Sequence, residues 1–328
     1  MNKSKKIPIS IVTGFLGSGK TTLISNLIKQ PNMDKVALII NEFGEVGLDN
    51  LLIQSSIENT LLLENGCICC SIRGDLVDTI IDLFTKVDNN EIPKFNRIVI
   101  ETTGLAKPEP IISTINNDIV ISKKCFLNNV IVLVDGANGT HQIRNHQEAK
   151  VQIAQSSLCL ISKCDIATDN EIDKLEHIIL SLNPIATFKR IKQGIIDPDE
   201  LFRFMSVEPL IIAKPHVHDH QSISQFEHGS VTSWSLIQEQ SIDEKKLRNW
   251  LLMLFSLRPS SMLRLKGIIK LKNQELPLLL QAVGPNFDEP LFLNGWPSPD
   301  TLTRLIIIFK DLNKNTVEES FFRWVLEK

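Results

Sequence analysis

Two short clusters in this chain combine residue types whose spacing can do chemistry. The first is Gly14-Phe15-Leu16-Gly17-Ser18-Gly19-Lys20-Thr21, which follows an apolar run at 7–13 and opens a helix-like stretch. In a G-x-x-x-x-G-K-[ST] pattern so placed, Gly14, Gly17 and Gly19 let the backbone curl until successive N–H groups point at phosphate oxygens. The following helix N-terminus adds partial positive charge, Lys20 reaches the outer phosphates, and the Thr21 hydroxyl is a ligand for Mg²⁺. Ser18 and Thr22 complete the expected phosphate-binding set. A glycine-rich turn that binds nothing is the plain alternative, and it does not account for Lys and Thr both in register.

The second cluster is Gly66-Cys67-Ile68-Cys69-Cys70, three of the six cysteines within four residues. Were the segment extended at Cys67 and Cys69, both sulfurs would face one side, and a turn at Cys70 would bring in the third. Three thiolates suit Zn²⁺, Cu(I) or another borderline-to-soft ion and leave a fourth position for a carboxylate, water or a partner's ligand. Buried reduced cysteines serving as small apolar residues, or a peroxide-sensing thiol pair, are the competing readings.

Two further segments belong beside the phosphate loop. Arg97-Ile98-Val99-Ile100-Glu101 ends an apolar run in a carboxylate, and Thr102-Thr103-Gly104 follows. Glu101 there can hold Mg²⁺ through water, while Gly104 lets the backbone approach a γ-phosphate. Lys20, Thr21 and Glu101 are therefore the expected catalytic residues. Ser162-Lys163-Cys164-Asp165 ends a later run and resembles the [NT]-K-x-D guanine signature. The Asp165 carboxylate can accept from guanine N1–H and its exocyclic amine, whereas adenine presents an acceptor at that edge. Lys163 lays its stem along the base, and Ser162 stands where Asn is usual, so the brace to neighbouring loops is expected to be either weaker or supplied by a hydroxyl.

Such residues need a scaffold that brings strand ends together. Apolar runs at 7–13, 35–41, 60–64, 97–101, 130–135, 158–162 and 186–191 alternate with helical patterns at 20–30, 74–88, 108–116, 142–155 and 169–182. Strands reading as continuous Ile/Val/Leu are covered on both faces, which predicts an α/β fold with a mostly parallel sheet between helices. Ligands of such sheets sit at the carboxyl ends of the strands. The rhythm dissolves over 206–230, where His216, His218 and His220 alternate and His228 follows, a linker with an auxiliary metal-capture reading. All four tryptophans lie beyond it, so 1–205 and 231–328 read as two domains. In the second, strands at 231–237, 263–271, 278–283 and 291–293 and helices at 243–256 and 299–313 predict a smaller α+β unit. Trp250, Leu254 and Phe255 at helical spacing read as core.

The bulk composition narrows the partners. Lys+Arg 35 against Asp+Glu 38 leaves a net charge of −3, which gives no electrostatic reason to expect nucleic acid or an acidic membrane. The apolar runs are strand-length, and the one behind Lys3, Lys5 and Lys6 ends in the glycine-rich turn rather than a cleavage site, so a cytoplasmic location is expected.

Taken together, the phosphate loop, Asn41-Glu42-Phe43-Gly44-Glu45, Gly66-Cys-Ile-Cys-Cys70, Glu101-Thr-Thr-Gly-Leu-Ala106 and Ser162-Lys-Cys-Asp165 resemble the CobW-type metallochaperone P-loop GTPases in order and spacing. Arg264-Leu265-Lys266-Gly267 is similar to the Arg-x-Lys-Gly segment of the CobW C-terminal domain. The resemblance implies Mg²⁺-dependent GTP hydrolysis coupled to delivery of a metal, commonly zinc and in some members Co²⁺, to a client protein. It also implies a nucleotide-responsive switch around Glu42 and Glu45, which makes Glu42 an expected ligand beside Cys67, Cys69 and Cys70. No residue is evident that orients the attacking water and no arginine is placed as a finger, so slow intrinsic turnover is expected. A homodimer is left open. The competing functions are a P-loop small-molecule kinase, which would prefer ATP, and a redox or zinc-sensing module with a structural nucleotide site.

Overall fold

The computed structural model describes residues 6–33, 35–41, 60–62, 68–71, 75–203 and 231–327, with Asn32, Asn41, 60–62 and 69–71 as backbone. It divides into two compact units, Met1–Gln152 with Ser156–Ile178 and Ala186–Ser206, and Val207–Lys328 with Ile153–Gln155 and Ile179–Ile185.

The first unit is built on β1 (Ile7–Gly14), β2 (Val36–Asn41), β3 (Thr60–Leu62), β4 (Ile68–Ser71), β5 (Arg97–Thr102), β6 (Cys125–Asp135), β7 (Leu158–Ser162) and β8 (Thr187–Arg190). They pair in the order β3-β4-β2-β5-β1-β6-β7-β8. Every pairing is parallel except β3 with β4. Ile9, Ile11, Val12, Ile98, Val99, Ile100, Val130 and Ile131 are wholly buried, as expected of strands covered on both faces. The connections carry α1 (Lys20–Leu27), α2 (Leu76–Asp88), α3 (Glu109–Asn117), α4 (Ile119–Lys124), α5 (Gly139–Asn145), α6 (Gln147–Gln155), α7 (Asp169–Leu182) and α8 (Pro198–Leu201). Their starts follow local chemistry: Asp75 accepts from Val77 N to open α2, and Asp118 ends α3 and accepts from Val120 N and Ile121 N to open α4.

In the second unit β9 (Val231–Gln238), β10 (Met262–Ile269), β11 (Leu278–Val283), β12 (Asn286–Phe287), β13 (Leu291–Phe292) and β14 (Thr303–Lys310) form an antiparallel sheet. Helices α9 (Glu244–Leu257) and α10 (Lys314–Phe321) complete the expected α+β unit. Its core is aromatic: Trp250 and Phe321 meet edge-on at 5.0 Å, Trp234 lies 6.1 Å from Trp250, and Trp250 Nε1 donates to Ser320 Oγ at 2.9 Å. Gly267 in β10 is a packing requirement, since a Cβ there would stand 2.9 Å from Leu305 Cδ1.

The structure corrects three expectations. The helix expected over 299–313 is strand β14, lying between β10 and β9, because Leu305-Ile306-Ile307-Ile308-Phe309 is buried all round and a β-branched apolar run of that length suits a central strand. The helix expected over 142–155 is two, α5 and α6, separated at His146, whose backbone is extended. No turn forms at Cys70: β4 continues to Ser71, with Cys70 paired to Ile39 on one side and Thr60 on the other. The linker 206–230 with His216, His218, His220 and His228 lies outside the described residues. Among the described residues, no helix is long and apolar enough to cross a membrane.

Candidate functional site

Strand β1 delivers the phosphate loop at its carboxyl end. Gly14 has φ 145°, and a Cβ there would lie 2.4 Å from Leu133 O of β6, so only glycine lets the chain turn this close to its neighbour. The turn closes with Ser18 N donating to Phe15 O at 3.1 Å, and Gly19 at φ 95° leads into α1. Lys20, Thr21 and Thr22 are the first three residues of that helix. Lys20 is buried, and its Nζ donates to Gly14 O at 2.8 Å and Phe15 O at 3.3 Å, which holds the ammonium inside the curl of the loop. Backbone N–H groups at a helix start and one enclosed cation make an anion site.

The neighbouring strand supplies the acid. Glu101 of β5 is buried and stands opposite Val12 of β1 and Ile40 of β2. Next to it, Thr102 Oγ1 donates to Thr13 Oγ1 at 2.7 Å, which ties the ends of β5 and β1 together. The chain then turns across the phosphate loop at Gly104, where a Cβ would stand 2.6 Å from Leu16 Cδ2 and 2.8 Å from Leu16 N. Gly104 thus serves close backbone approach, here to the loop that would carry the phosphates.

On the other side, β7 brings Ser162-Lys163-Cys164-Asp165. Ser162 Oγ donates to Ser18 O at 2.6 Å, with Val134 O at 3.2 Å as its second acceptor. The brace expected of a hydroxyl in place of Asn is therefore made, and it reaches the phosphate loop itself. Lys163 takes a left-handed φ of 57° and places Nζ 2.6 Å from Asp135 Oδ2. Asp135, buried at the end of β6, also accepts from Ala137 N and Asn138 N at 2.9 Å. Burial pushes the Asp135 carboxyl up, but the Lys163 bond and the two N–H donors outweigh it and hold the group below its ordinary value. Asp165 is left exposed, as a base-reading carboxylate must be. Burial pushes the intervening Cys164 thiol up, and its Sγ donates to Ile161 O at 3.1 Å.

The metal set is only partly visible. Cys67 and Glu42 lie outside the described residues, as do Glu45 and Asp49, and Cys69 and Cys70 are described by backbone alone. That backbone is informative. Ser71 pairs with Ile40, Ile40 with Glu101 and Glu101 with Val12, so β4 lies two strands from Glu101 in the same sheet, about 10 Å at ordinary strand spacing. Asn41, which precedes Glu42, stands opposite Thr102. The remaining cysteines behave differently: Cys125 and Cys159 are buried, and burial pushes the Cys125 thiol up to about 12, as for a small apolar residue.

With this geometry in place, comparison with known proteins is decisive. Residues 8–190 match the family model described as the CobW/HypB/UreG nucleotide-binding domain, and 231–324 match the cobalamin synthesis protein cobW C-terminal domain. The chain belongs to the CobW/HypB/UreG family. Similar relatives include the zinc chaperone YjiA of Escherichia coli, 32% identical over 299 residues and covering 89% of each chain. The zinc chaperone CobW of Pseudomonas aeruginosa is 27% identical, covering 97% of this chain and 91% of that protein. The zinc-regulated GTPase metalloprotein activator 1 of Dictyostelium discoideum is 26% identical, with 60% of this chain and 48% of that protein covered. Among solved structures, the Zn(II)-bound YjiA GTPase of E. coli superposes with a TM-score of 0.81 at 28% identity, covering 99% of both chains.

Within this CobW-type chain, sequence reasoning passed over Asp135 and Gln152. Asp135 carried a signal, an acid closing the apolar run 130–135 before a glycine. Gln152 carried none, being one polar residue in a helical stretch, yet it is buried and its Nε2 donates to Gly104 O at 3.1 Å and Ala106 O at 2.9 Å.

Proposed function

We propose that this chain is a GTP-hydrolysing metallochaperone whose cargo is Zn²⁺, taken up at Cys67, Cys69 and Cys70 with Glu42 and passed to a client metalloprotein. The P-loop GTPase part follows from the family and from a phosphate cradle, a buried strand-end acid and a braced base loop on one sheet. The observation that carries the coupling is the strand register: the backbone of Cys69 and Cys70, Glu101 and the strand that leads into the phosphate loop belong to one row of adjacent strands. A nucleotide that rearranges the segment after Asn41 then acts on both sites at once.

The donors fit Mg²⁺. Thr21 lies in the first turn of α1 and Glu101 one residue before the end of β5, beside β1; both offer oxygen, and hard cations of this size take oxygen ligands. Held by these two residues, Mg²⁺ would supply charge neutralisation to the outer phosphates. The chain's own contribution is to hold: Lys20 cradles the phosphates, Ser162 keeps the phosphate loop in register with the base loop, Lys163 and Asp165 bind the base, and Gly104 brings the Thr102–Ala106 turn against the loop. GTP holds the Glu42–Asp49 and Thr102–Ala106 segments and completes the zinc site; hydrolysis releases them and loosens the ligand set.

The test is a Zn²⁺ titration against a chromophoric chelator with a non-hydrolysable GTP analogue or GDP bound, in the wild type and with Cys67, Cys69 and Cys70 each replaced by Ser. A difference of about tenfold or more between nucleotide states, lost in the Ser variants, is expected, and by linkage Zn²⁺ must shift the preference for GTP over GDP by the same factor. Equal affinity in both states refutes the coupling. ATP preference with a phosphorylated small-molecule product would favour the kinase instead.

A further inference from the structure

Among the described residues, the Thr102–Ala106 turn is tied to the sheet at Thr102. A further anchor comes from a helix 48 residues downstream of Gly104 in sequence. Gln152 of α6 is 1% exposed, and the two hydrogens of its amide are both used, one on Gly104 O at 3.1 Å and one on Ala106 O at 2.9 Å. Two carbonyl acceptors fix which end of the amide faces the turn, since the reverse orientation would bring oxygen against oxygen. The other end, Oε1, is buried and has no hydrogen bond among the described residues, so the donors are what this side chain contributes to the turn.

A peptide unit is planar and trans, so its C=O and the next N–H point in opposite directions. Holding Gly104 O therefore fixes the direction of the Leu105 N–H, and holding Ala106 O fixes that of Lys107. Leu105, between the two held carbonyls, is left 54% exposed. Within the turn Ala106 N donates to Thr103 O at 3.1 Å, and against the phosphate loop the contact is steric, Gly104 on Leu16, with no space for a Cβ. Leu16 is secured in turn by Gln142 of α5, whose Nε2 donates to Leu16 O at 3.2 Å, while Phe15 stacks on His146 at 4.4 Å. Successive helices thus pin both sides of the contact between the phosphate loop and the Gly104 turn.

We infer that Gln152 is a positioning residue for GTP hydrolysis, its amide presetting the peptide planes of the Gly104–Ala106 turn against the phosphate loop, with Gln142 holding the opposite face. The inference rests on the GTPase reading above. Its effect lies in the step that the turn senses, at the γ-phosphate, and not in the diphosphate cradle that both nucleotides share.

The experiment compares full-length wild type with Gln152→Met, which keeps the shape and removes both donors. Measured are steady-state GTP hydrolysis, affinity for a fluorescent GDP, and amide hydrogen exchange over 102–107. Gln152→Met should lower kcat about tenfold, leave GDP affinity within about twofold, and speed exchange in that turn while the rest of the sheet stays protected. Unchanged hydrolysis and exchange overturn the inference, and so does uniform loss of protection across the domain, the mark of a merely structural residue. Should Gln152→Met fail to fold, the half-buried Gln142→Ala tests the other face: a roughly threefold fall in kcat at constant GDP affinity supports the inference, and no change overturns it. A wild type that neither binds nor hydrolyses GTP fails the GTPase reading itself, which is a separable result.

Discussion

Replacing Asp135 by Asn isolates one charge at the hinge between two loops. The carboxylate receives four donors: Lys163 Nζ at 2.6 Å and Asn138 Nδ2 at 3.5 Å on Oδ2, and Ala137 N and Asn138 N on Oδ1 at 2.9 Å. An Asn carbonyl oxygen still serves the two backbone N–H groups, so the variant loses chiefly the charge-assisted bond, together with the long contact from Asn138 Nδ2. Hydrogen bonds to charged groups contribute about 1.5–3 kcal/mol, and the lower half applies because the Lys163 side chain is 35% exposed and regains water when released. Asp135→Asn should therefore cost about 1.5–2 kcal/mol, or about 3–8 °C in the melting temperature of a domain of this size. Asp135→Ala strands two N–H groups as well and should cost about 4 kcal/mol. The pH dependence has a definite sign. The folded carboxyl sits below its ordinary value of 3.8, so its contribution is fully present above that pH and is lost as the pH falls through the depressed folded value. Urea melts of wild type and both variants between pH 7 and 3 read this directly: the wild type should lose, below about pH 4, a share of stability that Asp135→Asn has already lost. A variant within about 0.5 kcal/mol of wild type at pH 7, or Asn as damaging as Ala, refutes the assignment.

Three further outcomes follow from the same loops. Ser162→Ala removes the donor to Ser18 O without adding bulk, and stopped-flow release of fluorescent GDP should speed up by about tenfold, the worth of one such bond near 1.4 kcal/mol. Gly14→Ala places a methyl 2.4 Å from Leu133 O, a backbone atom of a buried strand that cannot yield, so equilibrium dialysis should find no nucleotide binding. Asp165→Asn exchanges an acceptor pair for an amide, and competition assays should show preference moving from GTP toward xanthosine triphosphate, whose base presents an oxygen where guanine has its amine.

How far the sequence carried this account depended on whether a residue's job was local. The phosphate loop is a local device: its glycines, Lys20 and Thr21 act within one turn of chain, so spacing alone revealed them. The first unit's strands were legible because both faces are buried and the runs are continuous. The second unit's β14 was not, since Leu305–Phe309 fits a buried helix or a buried strand equally until its neighbours are known, and those neighbours, β10 and β9, are remote in sequence. Cys70 failed for a similar reason: a turn was reasonable until pairing with both β2 and β3 held the chain extended. Asp135 was marked only by its place at the end of an apolar run, since its bond to Lys163 spans 28 residues, and Gln152 acts wholly across distance, on the Gly104 turn, with nothing in its own surroundings to mark it.

Those distant contacts share a form that bears on how nucleotide state is transmitted. Each of the three loops around the phosphate site is joined to another element by a small polar side chain: Ser162 to Ser18, Thr102 to Thr13, Gln152 to Gly104 and Ala106. The four side chains Ser162, Thr102, Thr13 and Gln152 are buried, so a shift in one loop must either move its partner or break a bond that water is poorly placed to replace. Such a system favours discrete arrangements over continuous drift, which is the property a carrier needs if one nucleotide state is to grip an ion and the other to let it go. The thiol strand enters the network through β2, whose last residue faces Thr102. A displacement at the end of β5 therefore has one sheet position to cross before it meets Asn41, and if the chain carries metal as proposed above, Thr102→Val, which removes the bond to Thr13, should narrow the difference in Zn²⁺ affinity between nucleotide states.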